Sequence, residues 1–234
     1  MVGPPLEREM SMKKLALAIA CFALLTVAAT GAWANAIQIT LSSSATGSVT
    51  FTGTGGNPPI TFTFNGTCGT HGNCISGNAL LEPVLVLGTY QMWMAGSPET
   101  LSGGPSDYTV GMSFPMWLSV DFSGAGYGTL LTQLMLTDVF GGTGGAPSFE
   151  GTFANATVSG PAIPGFPNGV SGSIDFTVRL QGGGPSISTL GSGATVNGFL
   201  SSGELVPSPE PSSLALMGTG ILGLAGVIRR KIKI

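Results

Sequence analysis

The chain has 234 residues, of which 38 are glycine and only 8% are charged, where an ordinary globular domain carries about a quarter. Between Asn35 and Ser208 there are eight carboxylates and one cation, Arg179, with no lysine, a balance of −7. Such a body repels phosphate backbones, which excludes nucleic acid as a partner. Its polar share comes from Ser, Thr, Asn and Gly, residues suited to turns and to the wet faces of strands rather than to a cytosolic helical enzyme.

In chain order, the first element is an export signal. Lys13 and Lys14 precede an apolar run over residues 15–29, and Ala32-Trp33-Ala34 then fits the small-x-small pattern that signal peptidase reads. Ala34-Asn35-Ala36 is an overlapping alternative. Residues 1–34 are therefore expected to be a signal peptide handled by the general secretion machinery and signal peptidase, with Ala32 and Ala34 at the cleavage site. Pro4, Pro5, Glu7 and Glu9 are foreign to such a signal, so translation from Met10 or Met12 is an alternative start. Cys21 is a poor lipidation site, because the apolar run continues past it and Ala18 stands three positions before it.

Residues 35–205 are expected to form one β domain. Apolar and polar residues alternate over 37–41, 60–64, 108–114 and 174–180, and the theme continues over 49–51 and 116–122. Period two means one buried and one wet face, as in antiparallel sheets. Turn clusters at 53–59 and 141–147 separate the runs. The expectation is an all-β antiparallel sandwich or jelly roll. Residues 130–138 stay ambiguous: positions 130, 131, 134 and 135 share a helical face, while the glycine-rich flanks favour a strand.

Cys68 and Cys74 enclose Gly69-Thr70-His71-Gly72-Asn73. Two cysteines this close in an exported domain read as a disulfide closing a small loop, worth roughly 2 kcal/mol by chain entropy; two free thiols are the alternative. His71 is the only histidine of the chain and reads as a solvated loop residue. With this one histidine inside the small loop and no Gly-x-Ser-x-Gly elbow in the chain, a catalytic triad is not expected. Cys68, His71 and Cys74 are the sole grouping that zinc would use, and no Asp-x-Asp pattern offers a calcium loop. No catalytic residue, no metal ligand and no cofactor is therefore assigned. Two of the eight carboxylates could in principle serve glycoside hydrolysis. Gly124-Ala125-Gly126-Tyr127-Gly128 reads as a turn rather than a ligand loop. Trp93, Trp117 and Tyr127 could stack on sugar rings if exposed in a row, with Met116 and Leu118 beside Trp117 facing the core.

Residues 206–234 carry the most specific pattern. Pro209-Glu210-Pro211 is followed by two serines, an apolar glycine-containing run over 214–228, and Arg229, Arg230, Lys231 and Lys233. Those cations hold their end in the cytoplasm as a stop-transfer signal. A single transmembrane helix over 212–228 is expected, although the apolar run covers only about 25 Å of a ~30 Å hydrocarbon core. In this order the elements resemble the PEP-CTERM sorting signal. The resemblance implies recognition by an exosortase, a membrane protease-transpeptidase of bacteria that make exopolysaccharide, with cleavage at or near Pro209, Glu210 and Pro211.

The expectation for the whole is a non-catalytic exported protein of the cell surface or extracellular matrix, anchored by its C-terminal helix until processing and associated with exopolysaccharide. The alternatives are a carbohydrate-binding surface module and, third, a secreted glycoside hydrolase. Exposed tryptophans would favour the first alternative, and carboxylates facing across a cleft the second.

Overall fold

The computed structural model describes residues 38–55, 60–96, 98–104, 106–112, 115–183 and 186–208, together with Gly220. The chain divides after Ala36 into two units, the first of which lies outside the described residues. Outside them too lie Ala32 and Ala34, the motif Pro209, Glu210 and Pro211, the cations at 229, 230, 231 and 233, and all of the apolar segment except Gly220. Among the described residues no helix is long and apolar enough to cross a membrane.

The body is β throughout and antiparallel. Its strands are β1 (Gln38–Thr46), β2 (Ser48–Gly53), β3 (Ile60–Asn65), β4 (Thr67–Cys68), β5 (His71–Gly72), β6 (Cys74–Glu82), β7 (Val86–Met94), β8 (Glu99–Gly104), β9 (Asp107–Gly111), β10 (Met116–Asp121), β11 (Thr129–Phe140), β12 (Ser148–Ser159), β13 (Val170–Leu180) and β14 (Thr195–Pro207). The ambiguous segment 130–138 is the middle of β11. Its residues alternate strictly between core and surface from Leu130 to Thr137, so the glycine-rich flanks predicted the outcome better than the helical spacing.

Twelve of these strands form one hydrogen-bonded sheet that closes on itself. The wall β11–β12–β13–β14 is made of the longest strands and is shared by two rings. Its lower half is closed by β1, β6, β7 and β10, because the C-terminal part of β14 pairs with β1 and the N-terminal part of β11 with β10. Its upper half is closed by β2, β3, β8 and β9, because β14 begins beside β2 and β11 ends beside β9. β1 and β2 thus follow one another along β14, and β9 and β10 do the same along β11. Every strand of this sheet has a partner on both sides, so among the described residues it presents no open backbone edge to another chain. The expected antiparallel all-β body is present, with a single continuous sheet as its architecture.

The interior is apolar and the outer face is dominated by Ser, Thr, Gln and Asp, the reverse of a barrel built to face lipid. Phe149 on β12 is the hub of the upper core. It stacks on Phe176 at 4.7 Å between ring centroids, meets Phe62 edge-on at 5.1 Å and packs on Phe51 at 6.0 Å. Phe149 and Phe176 belong to the long wall and Phe51 and Phe62 to the opposing one, so this cluster joins the two. Tyr90 is buried in the lower core, its hydroxyl without a hydrogen-bond partner, and burial pushes its pKa up. Ile163 and Phe166 in the β12–β13 loop plug the lower end of the body, and Ile187 plugs the upper.

The seam where the upper and lower halves meet is crowded. Gly47, at φ +86 between β1 and β2, and Gly66 each approach the carbonyl of Cys74 so closely that a Cβ on either would sit 2.4 Å from its oxygen. The chain crosses this seam again between β3 and β6, through the small hairpin β4–β5.

Candidate functional site

That hairpin is where Cys68 and Cys74 meet. They are joined in a disulfide with Cα atoms 5.8 Å apart. The sulfurs being bonded to each other, the grouping with His71 is not a zinc site. Among the described residues no group of three or more His, Cys, Asp or Glu is arranged to hold a metal ion. The disulfide ties β4–β5 back onto the first residue of β6, and Cys74 stands opposite Trp93 of β7. His71 is thereby laid over the indole: the rings stack at 4.1 Å and 13°. His71 is therefore half-buried against an aromatic surface and not a solvated loop residue as its glycine-rich surroundings suggest. The difference arises because the hairpin folds back over β7, a contact between residues 22 positions apart that local composition does not encode.

Trp93 does not stand alone. It lies opposite Trp117 of β10, which lies opposite Gln133 of β11. The neighbouring outward row is Ser76, Gln91, Ser119 and Leu131. Met116 and Leu118 are fully buried while Trp117 is only half-buried, so alternation turns both tryptophans outward. Met135, 61% exposed, extends the same face along β11. The result is a shelf of His71, Trp93, Trp117, Leu131 and Met135 fringed by the amides of Gln91 and Gln133 and the hydroxyl of Ser119. Such an arrangement combines flat apolar surface with hydrogen-bonding groups beside it, the pairing that recognises amphipathic ring-shaped ligands. Tyr127 is not part of this shelf. It packs against the core from the turn after β10.

That turn also accounts for Asp121. Its carboxylate accepts the Ser123 N–H at 2.8 Å and the Thr129 hydroxyl at 3.2 Å. The hydrogen bond from the Ser123 backbone holds its pKa below the usual carboxylate range, with Ser123 and Thr129 side chains adding to the effect. Residues 124–128 form the bend that this carboxylate closes, with a 3-10 turn at Ser123–Ala125 and Gly126 at φ +83. The glycines here serve chain reversal.

Four further carboxylates form a row on the outer face of the long wall. Asp138 of β11 stands opposite Glu150 of β12, Glu150 opposite Asp175 of β13, and Asp175 opposite Glu204 of β14. Like charges directly opposite oppose strand pairing. Partial burial raises the pKa of Asp175; burial and the charges of Asp175 and Glu82 raise that of Glu204. Arg179 lies four residues along β13 from Asp175, about 13 Å at the strand rise, too far to neutralise the row. These carboxylates sit side by side on a sheet surface instead of facing one another across a cleft. Alternation in the sequence predicts that Asp175 points outward, whereas an irregularity of β11 between Leu136 and Asp138 brings Asp138 into line with the other carboxylates. Their alignment depends on register between distant strands and was beyond the reach of alternation.

The sorting segment can be placed only by its neighbour. β14 ends at Pro207, and the N–H of Ser208 donates to the Ser171 carbonyl at 2.9 Å. Pro209 follows directly. Residues 209–231 match the PEP-CTERM protein-sorting motif. The chain carries a PEP-CTERM sorting motif. No curated protein and no solved structure is significantly similar to it. The PEP-CTERM motif implies export, a membrane-anchored C-terminus before processing, and an exosortase as the processing partner. It covers only the C-terminal tail, and the role of the β body has to be argued from its surface.

Proposed function

We propose that this protein is an exosortase-sorted, non-catalytic component of the cell surface or extracellular matrix. The observation that carries the reading is the motif at 209–231, placed two residues beyond the last strand of a folded export-type domain. The signal peptide over residues 1–34 delivers the body, and a helix over 212–228 retains it until cleavage near Pro209, Glu210 and Pro211. Intact mass of the protein recovered from its own host tests this. The wild type is expected to end near Pro209, and a variant with Pro209, Glu210 and Pro211 all changed to Ala to stay in the membrane at full C-terminal length. Wild-type protein that keeps residues 214–234 would make it an ordinary tail-anchored surface protein.

The Trp93–Trp117 shelf favours a second and compatible reading, in which the body binds exopolysaccharide. Pyranose rings present C–H faces that stack on indole, and Gln91, Gln133 and Ser119 stand where ring hydroxyls would need partners. Retardation of the body in gels containing the host's own polysaccharide measures this directly. Trp117→Ala is expected to weaken binding by roughly five- to a hundredfold, taking a ring stacked on an aromatic side chain as worth about 1–3 kcal/mol. Thr100→Ala, exposed on β8 away from this shelf, serves as the control. Equal migration of wild type and Trp117→Ala would leave the body without a sugar-binding role on this face.

A further inference from the structure

The loop joining β6 to β7 breaks two local rules together. Pro83, Val84 and Leu85 form its tip, and Leu85 and Leu87 are 70% and 73% exposed. A hairpin tip in water ordinarily carries Asn, Asp or Gly. Leu85 also holds φ +56, a left-handed conformation that suits glycine or asparagine far better than leucine. Exposure and backbone strain both oppose this sequence in water, and neither contributes to the core. Violations of this kind point to function.

Register shows what the tip is near. Leu205, Ile39, Leu81 and Val86 form one row across β14, β1, β6 and β7. The tip therefore lies at the end of the sheet where β1 begins and β14 stops. β6 stands two strand spacings from β14, about 10 Å. Residues 209–213 then lead from Ser208 to the apolar run 214–228, a span of at most ~20 Å fully extended. An anchored chain keeps this end of the body within that distance of the bilayer, close enough for the tip to reach it.

We propose that the β6–β7 tip is a membrane-contact element: Val84, Leu85 and Leu87 enter the interfacial layer of the bilayer that anchors the unprocessed chain. The proposal rests on the anchored reading of residues 214–228. Glu82 flanks the tip, and Glu204 lies in the same cross-strand row as Leu87, through Thr40 and Leu80. These carboxylates suit a zwitterionic surface and oppose an anionic one. Three side chains bind a bilayer weakly, but the short tether supplies a high effective concentration. The contact sets the body upright, with the scissile segment close to the membrane surface where a membrane-embedded protease acts.

The test uses the unprocessed full chain reconstituted into phosphatidylcholine vesicles containing lipid brominated near the headgroup. Leu87→Trp adds a fluorophore on an exposed strand position, read as the difference from the parent chain. Thr143→Trp, in the loop after β11 at the opposite end, is the control. The Leu87→Trp signal is expected to lose most of its added emission to the bromines, and the Thr143→Trp signal none. Chains that float with the vesicles while both signals go unquenched would overturn the tip contact and leave anchoring intact. A blue-shifted, unquenched Leu87→Trp signal would mean that a second copy of the chain covers the tip, which also overturns the proposal. Chains that do not float with vesicles would remove the anchored reading, and the inference with it.

Discussion

Phe149→Ala is expected to destabilise the folded body by about 3–5 kcal/mol, the range for a fully buried aromatic residue cut back to a methyl group. The reason is specific to its position. Phe149 touches Phe176 within the long wall and Phe51 and Phe62 across the core, so truncation opens a cavity between two layers that cannot both close over it. The attraction between its ring and these three neighbours disappears as well, on top of the apolar burial that is forfeited. Phe199→Ala, 39% exposed on β14, removes the same atoms from a partly solvated site with no cavity to enclose and is expected to cost about 1–2 kcal/mol. Urea denaturation of the two variants measures the contrast. Similar midpoints for both would mean that Phe149 does not join the walls as described.

Gly47→Ala is expected to be the other severe change, at about 2–5 kcal/mol. A left-handed φ costs an alanine of the order of 1–2 kcal/mol, and overlap with rigid neighbours adds about 1–3 kcal/mol. Here the neighbours are backbone: the Cys74 carbonyl at 2.4 Å and the Asn65 carbonyl at 2.9 Å. Neither can move without shifting the seam. Gly69→Ala separates the two effects, because Gly69 has φ +59 with nothing within 4 Å of its missing Cβ. Its expected cost is the conformational part alone. Equal losses for the two glycines, by thermal or urea unfolding, would show that the seam is not tightly packed.

Much of the fold was readable from alternation. The runs at 60–64, 116–122 and 174–180 became β3, β10 and β13, since one wet and one buried face is a local property of a strand. Residues 74–94 were less readable, because outward positions of β6 and β7 carry Leu80 and Leu87 and blur the pattern. Closure of the sheet was invisible, since it depends on β14 choosing β1 and β2 as partners from more than 140 residues away. The same division holds for the shelf. The parity of β10 groups Trp117 with Ser119 and Asp121, the polar side, so its outward direction follows from sequence. Its meeting with Trp93, and the stacking of His71 on top, follow from register and from the fold-back of the disulfide hairpin.

The place of β14 at the centre of both rings has a consequence for the order of events during export. The strand that bonds β13 on one side and β1 and β2 on the other is the last of the body to be made and the last to be exported. Until it arrives, the sides of β1, β2 and β13 that face it are unpaired templates, and the sheet cannot close. Long-range pairing of this kind is intrinsically slow and exposes sticky edges while it waits. Completion of the domain is therefore tied to emergence of residue 207, two residues ahead of Pro209. The chain acquires its native edge-free state only as its sorting motif comes into reach of the membrane enzymes, so maturation of the tail and folding of the body share one starting moment.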